Sequence, residues 1–511
     1  MPVPPSQMNP AVRLVQGNGK VLHEENSRTV LTVWGPSKEA RTVNQFLAAF
    51  AATFGALCGG TFFAWSGTVE PLIKEISTET FSWIAACLPL GAFAGSMFAG
   101  AVANAFGRQR TLASLAPPML LAWLLLLCVD SPLLLVLGRL LAGVAFGILS
   151  VVAGMYVSEI ASPSVRGTLG AFFQLQITVG LLVGGLTGKL ADPAHIAYAA
   201  MPLPVVFFGL IWFMPESPVF LLSRGQSERA RASLQWLRGD QYDVAQEVAS
   251  IRHSIMESQQ SKASAKDLFT SRVATKGLVV ALGLMGAQQL SGVNAVIFYT
   301  SKIFEKAGST MSASDCSIVV FVVQVLATFL SMLLADRAGR RVLLLLSSSV
   351  LTVCLAMLAV YYHIQGSGHD MNGVTWLPLA TVAVFFVMFS LGLGPLPWCV
   401  VSEVFSPSTK GPASSIACGA NWLMAFTVTK FFPNLEALVQ MSGAFFIFTA
   451  IAALGTAFIF LVVPETKGKT LEQILAELAG DKIYPSSSTP EAVDEEEEER
   501  EACKGKSPFP L

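Results

Sequence analysis

Apolar segments long enough to cross a bilayer recur twelve times along the 511-residue chain. Six of them precede a polar stretch at 215–274 and six follow it. The predicted spans are 44–67, 81–106, 111–129, 132–158, 167–189, 196–214, 275–301, 313–335, 341–362, 374–402, 411–433 and 442–463. This pattern predicts an all-α membrane protein whose twelve transmembrane helices form two pseudo-symmetric six-helix bundles.

The polar segments divide the chain into five regions. We predict an N-terminal cytoplasmic segment at 1–43, a first bundle at 44–214, a helical linker at 215–274, a second bundle at 275–464 and a cytoplasmic tail at 465–511. Apolar residues in the linker recur at helical spacing, so we expect short amphipathic helices on the cytoplasmic face. The end of the tail is Ser/Pro-rich and then acidic, which predicts disorder rather than a partner site.

Composition favours the same class. Hydrophobic residues make up 53% of the chain and charged residues only 13%, about half the share usual in soluble domains. The formal net charge of −1 leaves no basic footprint for nucleic acid. The cysteines show no metal or redox spacing, and neither a nucleophile–base constellation nor a P-loop stands out. We therefore predict no enzymatic activity, no cofactor and no metal, with lipid and a small molecule as partners and a monomer as the working unit.

Basic residues concentrate in alternate loops. Counting the N-terminus as cytoplasmic, the cytoplasmic connections carry most of the Arg and Lys near the spans, and the opposite loops carry few. The positive-inside rule then places both termini in the cytoplasm, as an even number of spans requires. We expect the cell membrane as the location.

The two halves share a repeated sequence motif. The segment 157–167 matches 401–411 at seven of eleven positions, and Arg166 corresponds to Lys410. Two further pairs recur in the same order: 104–108 with 336–341, and 215–217 with 464–466. A parallel duplication of six-helix halves is typical of alternating-access transporters.

The repeated charges predict a cytoplasmic gate. Carboxylates at helix ends and cations on neighbouring loops can pair within and between halves, and such pairs can close one side in one state only. The predicted gate residues are Arg108, Arg139, Glu159 and Arg166 in the first half and Asp336, Arg340, Arg341, Glu403 and Lys410 in the second. The alternative is that these charges only fix topology.

Several motifs together carry a family resemblance. They are G-R-Q-R at 107–110, P-E-S-P at 215–218, Q-Q-L-S-G-V-N at 288–294, G-P-L-P-W at 394–398 and P-E-T-K-G at 464–468. Over about 44–476 the chain resembles the sugar porter family of the major facilitator superfamily. It is similar to animal facilitative hexose transporters, most of all arthropod facilitated trehalose transporters. Ala105, Val219 and Ser390 depart from the family pattern, and each removes a possible gating partner.

A sugar site needs amides that donate and accept, and an aromatic face for the C–H side of the ring. Polar and aromatic residues at mid-membrane depth meet that need, and the resemblance implies sugar contacts for most of them. The predicted substrate residues are Gln174, Gln288, Gln289, Asn294, Gln324, Trp398, Asn421 and Trp422. A single amide can instead bond a neighbouring helix, and for Gln324 the two readings are equally supported.

Helix geometry predicts two broken spans. In a regular helix Asn294 lies about 140° around from Gln289, so both face one ligand only if the helix unwinds at Ser291-Gly292. The glycines and prolines at 392–397 break span ten for the same reason. We expect both spans to act as mobile gates.

The residues of the membrane interior favour facilitated diffusion over proton-coupled transport. Ser66 stands near the position where proton-coupled sugar porters carry an Asp, and no acid is evident in the membrane interior. The sequence therefore predicts a facilitative sugar transporter for a hexose or trehalose. A proton/sugar symporter and a non-transporting sugar sensor remain the alternatives.

Overall fold

The computed structural model describes residues 41–73, 76–190, 192–260, 267–308, 311–334, 339–369, 371, 373–469 and 471–479. Over these ranges the regular structure is α-helical, apart from one 3-10 turn at Gly188–Leu190. The first half contains α1 (Val43–Val69), α2 (Thr78–Phe106), α3 (Arg108–Ser114), α4 (Ala116–Leu126), α5 (Pro132–Ile160), α6 (Arg166–Thr187), α7 (Pro193–Ala200) and α8 (Pro202–Trp212).

The linker and the second half continue the helical pattern. The linker holds α9 (Pro218–Ser223), α10 (Ser227–Arg238), α11 (Val244–Gln260) and α12 (Asp267–Thr270). The second half holds α13 (Arg272–Leu290), α14 (Val293–Phe298), α15 (Thr300–Lys306), α16 (Ala313–Leu334), α17 (Arg340–Gly366), α18 (Leu377–Leu391), α19 (Leu396–Glu403), α20 (Pro407–Val462) and α21 (Leu471–Ala479).

Twelve spans are present, as predicted. Ten helical segments of the described chain are long and apolar enough to cross a bilayer. One of them lies in α20, whose 56 residues would measure about 84 Å if straight, nearly three bilayer thicknesses. Its helix breaks at Gln440 (φ 63°), so α20 is two spans. The helices α3 and α4 form the remaining span, which is broken at Leu115 ahead of Pro117 and Pro118.

The linker helices pack at one end of the bundle, here named the basic end because Arg108, Arg340 and Arg341 lie there. The hydroxyl of Ser217 accepts from the backbone N–H of Phe220 (3.2 Å) and caps α9. Apolar residues of α9, α10 and α11 form a small core of their own: Leu221, Leu222, Ala230, Leu234 and Val248. The short amphipathic helices predicted in the linker are therefore present.

Close helix packing in the first half depends on glycine. A Cβ placed on Gly143 of α5 would lie 2.1 Å from the carbonyl oxygen of Leu88 on α2. At Gly60 of α1 it would lie 2.2 Å from the carbonyl oxygen of Ile177 on α6. Because both obstacles are backbone atoms, neither can rotate aside.

We expect Gly143→Ala to lower the thermal unfolding temperature, because α2 and α5 must separate to admit the methyl group. Overpacking of this kind costs about 1–3 kcal/mol. Gly100→Ala is the matched control, since a Cβ on Gly100 meets nothing within 4 Å. Equal melting temperatures of the two purified variants would contradict the packing argument.

Candidate functional site

Four buried amides meet where the seventh span is interrupted. Gly292 takes φ +84°, a conformation that favours glycine, and separates α13 from α14 as the sequence predicts. The break lets Asn294 Nδ2 donate to Gln289 Oε1, although a continuous helix would hold these side chains apart. Gln289 Nε2 in turn donates to Asn421 Oδ1 on α20 (2.8 Å).

Gln288 closes the same network. Asn421 Nδ2 donates to Gln288 Oε1 (2.8 Å), and Gln288 Nε2 donates to the carbonyl oxygens of Leu393 and Gly394 (2.7 Å each). These carbonyls lie between α18 and α19, where the predicted break of the tenth span frees them from helical bonding. Gln288, Gln289, Asn294 and Asn421 thus form one neutral cluster, the amide cluster.

An aromatic wall borders the amide cluster. Trp422 follows Asn421 on α20 and is 8% exposed. Its ring stacks on Phe63 of α1 (centroids 6.3 Å, interplanar angle 12°) and meets Phe146 of α5 edge-on (5.6 Å). Phe146 also contacts Phe173 of α6 (6.1 Å), the neighbour of Gln174. The cluster therefore comes from the second half and most of the wall from the first.

The other predicted substrate residues lie apart from these bonds. Gln174 is half-buried on α6, and Trp398 is 37% exposed on α19. Gln324 is buried on α16, and no hydrogen-bond partner reaches its Oε1 among the described residues. The described hydrogen bonds do not join any of these three side chains to the amide cluster.

At the basic end, one predicted gate pair is tightly bonded within the first half. Arg108 donates to Glu159 through Nε and Nη2, with an N–O distance of 2.9 Å for Nη2. The hydroxyl of Ser217 donates to the same carboxylate. Glu159 is thus held by side chains of its own half and of the adjoining linker.

Two further glutamates, which were not predicted as gate residues, bind the backbone of the Arg-containing loops, one in each half. Glu216 Oε1 accepts from the backbone N–H groups of Arg108 (2.9 Å) and Gln109 (3.1 Å). In the second half, Glu465 accepts from the N–H groups of Arg340 (2.9 Å) and Arg341 (3.1 Å). The sequence contains a signal for these two glutamates, because the P-E-S and P-E-T repeats follow the G-R repeats in the same order in both halves.

The second-half gate cluster is looser. Arg340 Nη2 lies 3.7 Å from Glu403 Oε1, and Glu403 Oε2 has no hydrogen-bond partner among the described residues. The guanidinium of Arg341 instead donates to the carbonyl oxygen of Phe460, and Arg166 is exposed at the start of α6. A cavity of about 460 Å³ opens beside Glu403, Arg340 and Thr466. Asp336 and the side chain of Lys410 lie outside the described part of the chain.

Arg139 does not belong to the gate cluster, contrary to the sequence prediction. It lies near the start of α5, about 30 Å along the helix from Glu159. Its guanidinium is fully buried and donates to Ser66 Oγ (2.7 Å) and to the carbonyl oxygen of Phe62 on α1. The prediction was wrong because the G-R dipeptide at 138–139 resembles the loop motif, although the predicted span 132–158 already places Arg139 near the end away from Glu159.

Charged side chains also gather at the end away from the basic end, here named the opposite end. Glu436 of α20 pairs with Lys302 (2.8 Å) and with Lys306 of α15. Glu70, which directly follows α1, lies close to this group. Burial, opposed by Lys302 and reinforced by Glu436 and Glu305, raises the pKa of the Glu70 carboxyl to about 7.

The two halves separate toward the basic end. Cys418 of α20 lies close to Ser96 of α2 and Ser150 of α5, so the two halves are in contact there. One and two turns further along the same face of α5, Gly154 and Ser158 are exposed. At the opposite end the halves touch, since Phe63 of α1 meets Phe298 of α14 edge-on (5.7 Å). The contacts therefore join the halves at the opposite end and leave this face of α5 exposed toward the basic end.

The family model and the relatives that match this chain are those of sugar transporters. Residues 37–478 match the family model of the sugar (and other) transporters. The chain is 36% identical over 471 residues to the facilitated trehalose transporter Tret1 of Culex quinquefasciatus, covering 90% of this chain and 91% of that protein. The Tret1 protein of Polypedilum vanderplanki is 36% identical over 468 residues, with 89% and 92% covered. Some relatives are longer: the chain spans 59% of the Anopheles gambiae protein and 51% of the Drosophila virilis protein.

Solved structures show the same architecture. The proton:xylose symporter XylE of the major facilitator superfamily, bound to 6-bromo-6-deoxy-D-glucose, superposes with a TM-score of 0.72 at 26% identity. That match covers 85% of this chain and 99% of XylE. The inward-open conformation of XylE from E. coli gives a TM-score of 0.71 at 22% identity, with 85% and 99% covered.

Proposed function

We propose that this chain, which belongs to the sugar transporter family of the major facilitator superfamily and is a sugar transporter rather than an enzyme, moves trehalose or a hexose by facilitated diffusion. Relatives named facilitated trehalose transporters, 36% identical over most of the chain, support this choice of sugar. We place the protein in the cell membrane as a monomer, with both termini in the cytoplasm.

The amide cluster is the observation that carries the proposal. Gln288, Gln289, Asn294 and Asn421 are all less than 10% exposed and bear no net charge, as a neutral polyhydroxyl ligand requires. Each amide both donates and accepts, so sugar hydroxyls can replace the bonds that the amides make to one another. The ring of Trp422 beside Asn421 offers the apolar C–H face of a sugar a flat partner.

Alternating access follows from the arrangement of the two halves. The face of α5 that carries Gly154 and Ser158 is exposed toward the basic end, while α14 packs against α1 at the opposite end, as Phe298 does on Phe63. Both interrupted spans, α13–α14 and α18–α19, border the amide cluster, so a small rotation at either break changes access to it. We propose that these segments are the mobile gates.

The surroundings of Arg139 support uniport. The guanidinium is bonded by the Ser66 hydroxyl and by backbone carbonyls, and none of the described hydrogen bonds or ion pairs joins it to a carboxylate. A proton-coupled cycle needs a group whose protonation changes between states. The serine at position 66 cannot supply such a group.

Glu70 is the observation that favours proton coupling instead. It lies one helical turn beyond Ser66, and burial raises its carboxyl pKa to about 7 when the opposite end is closed. A solvated glutamate has a pKa of about 4.3, so the carboxyl takes up a proton as this end closes. Falling pH through about 7 therefore favours the closed opposite end, which a symporter would exploit.

We expect labelled trehalose or glucose to enter proteoliposomes saturably, to equilibrate and not to accumulate when a proton gradient is imposed. Protonophores should leave the initial rate unchanged, because no proton crosses with the sugar. Protonophore-sensitive accumulation against the sugar gradient would overturn uniport. Its loss in Glu70→Gln would then identify Glu70 as the coupling group.

A further inference from the structure

Ion pairs are distributed differently at the two ends of the molecule. At the basic end, the described pairs Arg108–Glu159 and Arg340–Glu403 each join residues of one half. At the opposite end, two ion pairs join the first half to the second: Glu79–Lys430 and Lys189–Asp315. Among the described ion pairs of these two ends, those that cross between the halves therefore lie at the closed end.

Lys430 is the buried partner of the stronger link. Its side chain is 4% exposed and projects from α20 onto the first turns of α2. The ammonium donates to Glu79 Oε1 (2.7 Å) and Ser82 Oγ (3.0 Å), and it lies 4.8 Å from the ring centroid of Trp83. Asn434, one turn on, donates to the other oxygen of Glu79 (3.4 Å).

This contact would be lost if the opposite end opened. The two hydrogen-bond partners of the ammonium and the Trp83 ring lie on α2, in the other half of the molecule, whereas the Phe431 ring, 5.7 Å away, belongs to α20 itself. Opening that end would therefore remove the α2 partners together. A lysine that loses its partners must then be hydrated, because an unpaired buried ammonium is costly. The pair therefore has a different free energy in the two access states, as a conformational latch requires.

We propose that Lys430, held by Glu79, Ser82 and Trp83, is a latch that stabilises the inward-accessible state by closing the opposite end. The proposal rests on the alternating-access cycle proposed above. The second crossing pair supplies the contrast, since the side chains of Lys189 and Asp315 are 54% and 40% exposed. Exposed ion pairs contribute little, so Lys189–Asp315 should not act as a latch.

The test reads access directly, without sugar. Two conservative reporters are introduced separately: Ser301→Cys in α15, buried at the closed end, and Ser158→Cys in α5, exposed toward the basic end. Cys128 and Cys399, the exposed cysteines of the described chain, are replaced by serine in both reporters. A membrane-impermeant maleimide then labels each reporter from its own side.

We expect Lys430→Met to raise the labelling rate of the Ser301→Cys reporter by roughly five-fold or more and to lower that of the Ser158→Cys reporter. Glu79→Gln should act in the same direction and tests the latch if Lys430→Met fails to fold, because the Glu79 side chain is 59% exposed. The exchanged pair, Glu79→Lys with Lys430→Glu, should restore the original ratio. Lys189→Gln is the matched control and should change neither rate.

An unchanged ratio in folded Lys430→Met or Glu79→Gln would overturn the latch. An equal change in Lys189→Gln would overturn it too, since any crossing charge would then suffice. Sugar uptake is measured in parallel on the unsubstituted chain. Because labelling is read without sugar, a failure of uptake would count against the proposed function while leaving the latch result standing.

Discussion

Replacing Gln289 by alanine should weaken apparent sugar affinity by roughly 10- to 100-fold, at about 1–3 kcal/mol for unpaired buried polar groups. Gln289 bonds Asn294 through Oε1 and Asn421 through Nε2, so it connects the two sides of the helix break. Alanine leaves both of those amides, and any sugar hydroxyl bound there, without that partner. Equilibrium binding of the sugar and initial uptake rates measure the change in affinity.

Gln176→Ala is the matched control for Gln289→Ala. Gln176 is also a buried glutamine, but its amide donates to the carbonyl oxygen of Phe50 (3.1 Å) and to Thr53 Oγ1 (3.3 Å), where it ties α6 to α1. Its loss should lower thermal stability and leave affinity nearly unchanged. If a correctly inserted Gln289→Ala variant binds sugar normally, Gln289 is a helix–helix residue and the proposed site is wrong.

Much of the fold follows from the sequence, because its causes are local. Twelve apolar stretches, a glycine at 292 and prolines at 395 and 397 each act within a few residues. The spans and both breaks were therefore predictable. That Gln289 and Asn294 approach each other only across a break was also accessible to this reasoning, since helix spacing fixes the angle between them.

What could not be predicted depends on contacts between distant segments. The bond from Asn421 to Gln288 spans 133 residues, and the pair Glu79–Lys430 spans 351. The place of Arg139 near the start of the predicted span 132–158 could be read from the sequence, but its bond to Ser66 of α1 could not. Glu216 and Glu465 were missed although their repeat was visible, since the sequence does not show that they accept backbone N–H groups.

Glu403→Gln should shift the access equilibrium toward the inward-facing state by roughly ten-fold and slow transport. In the present conformation Glu403 gains little from its partner: Arg340 lies 3.7 Å away, and Oε2 has no described hydrogen bond. If the basic end closes, we expect the Glu403 carboxylate to approach cations of the other half. The exposed Arg166 is the partner that we propose. The charge therefore stabilises the outward-facing state more than the state described here.

Glu159→Gln should behave differently, because Glu159 is already bonded to Arg108 of its own half and to Ser217 of the adjoining linker. Breaking that largely buried pair should cost about 3 kcal/mol of stability in either access state, with a smaller change in their ratio. The exposed Glu228 supplies the control, and Glu228→Gln should change neither quantity. Labelling of the two cysteine reporters, with thermal unfolding alongside, separates the roles. If Glu403→Gln leaves both the labelling ratio and transport intact, Glu403 is a topology anchor and not a gate.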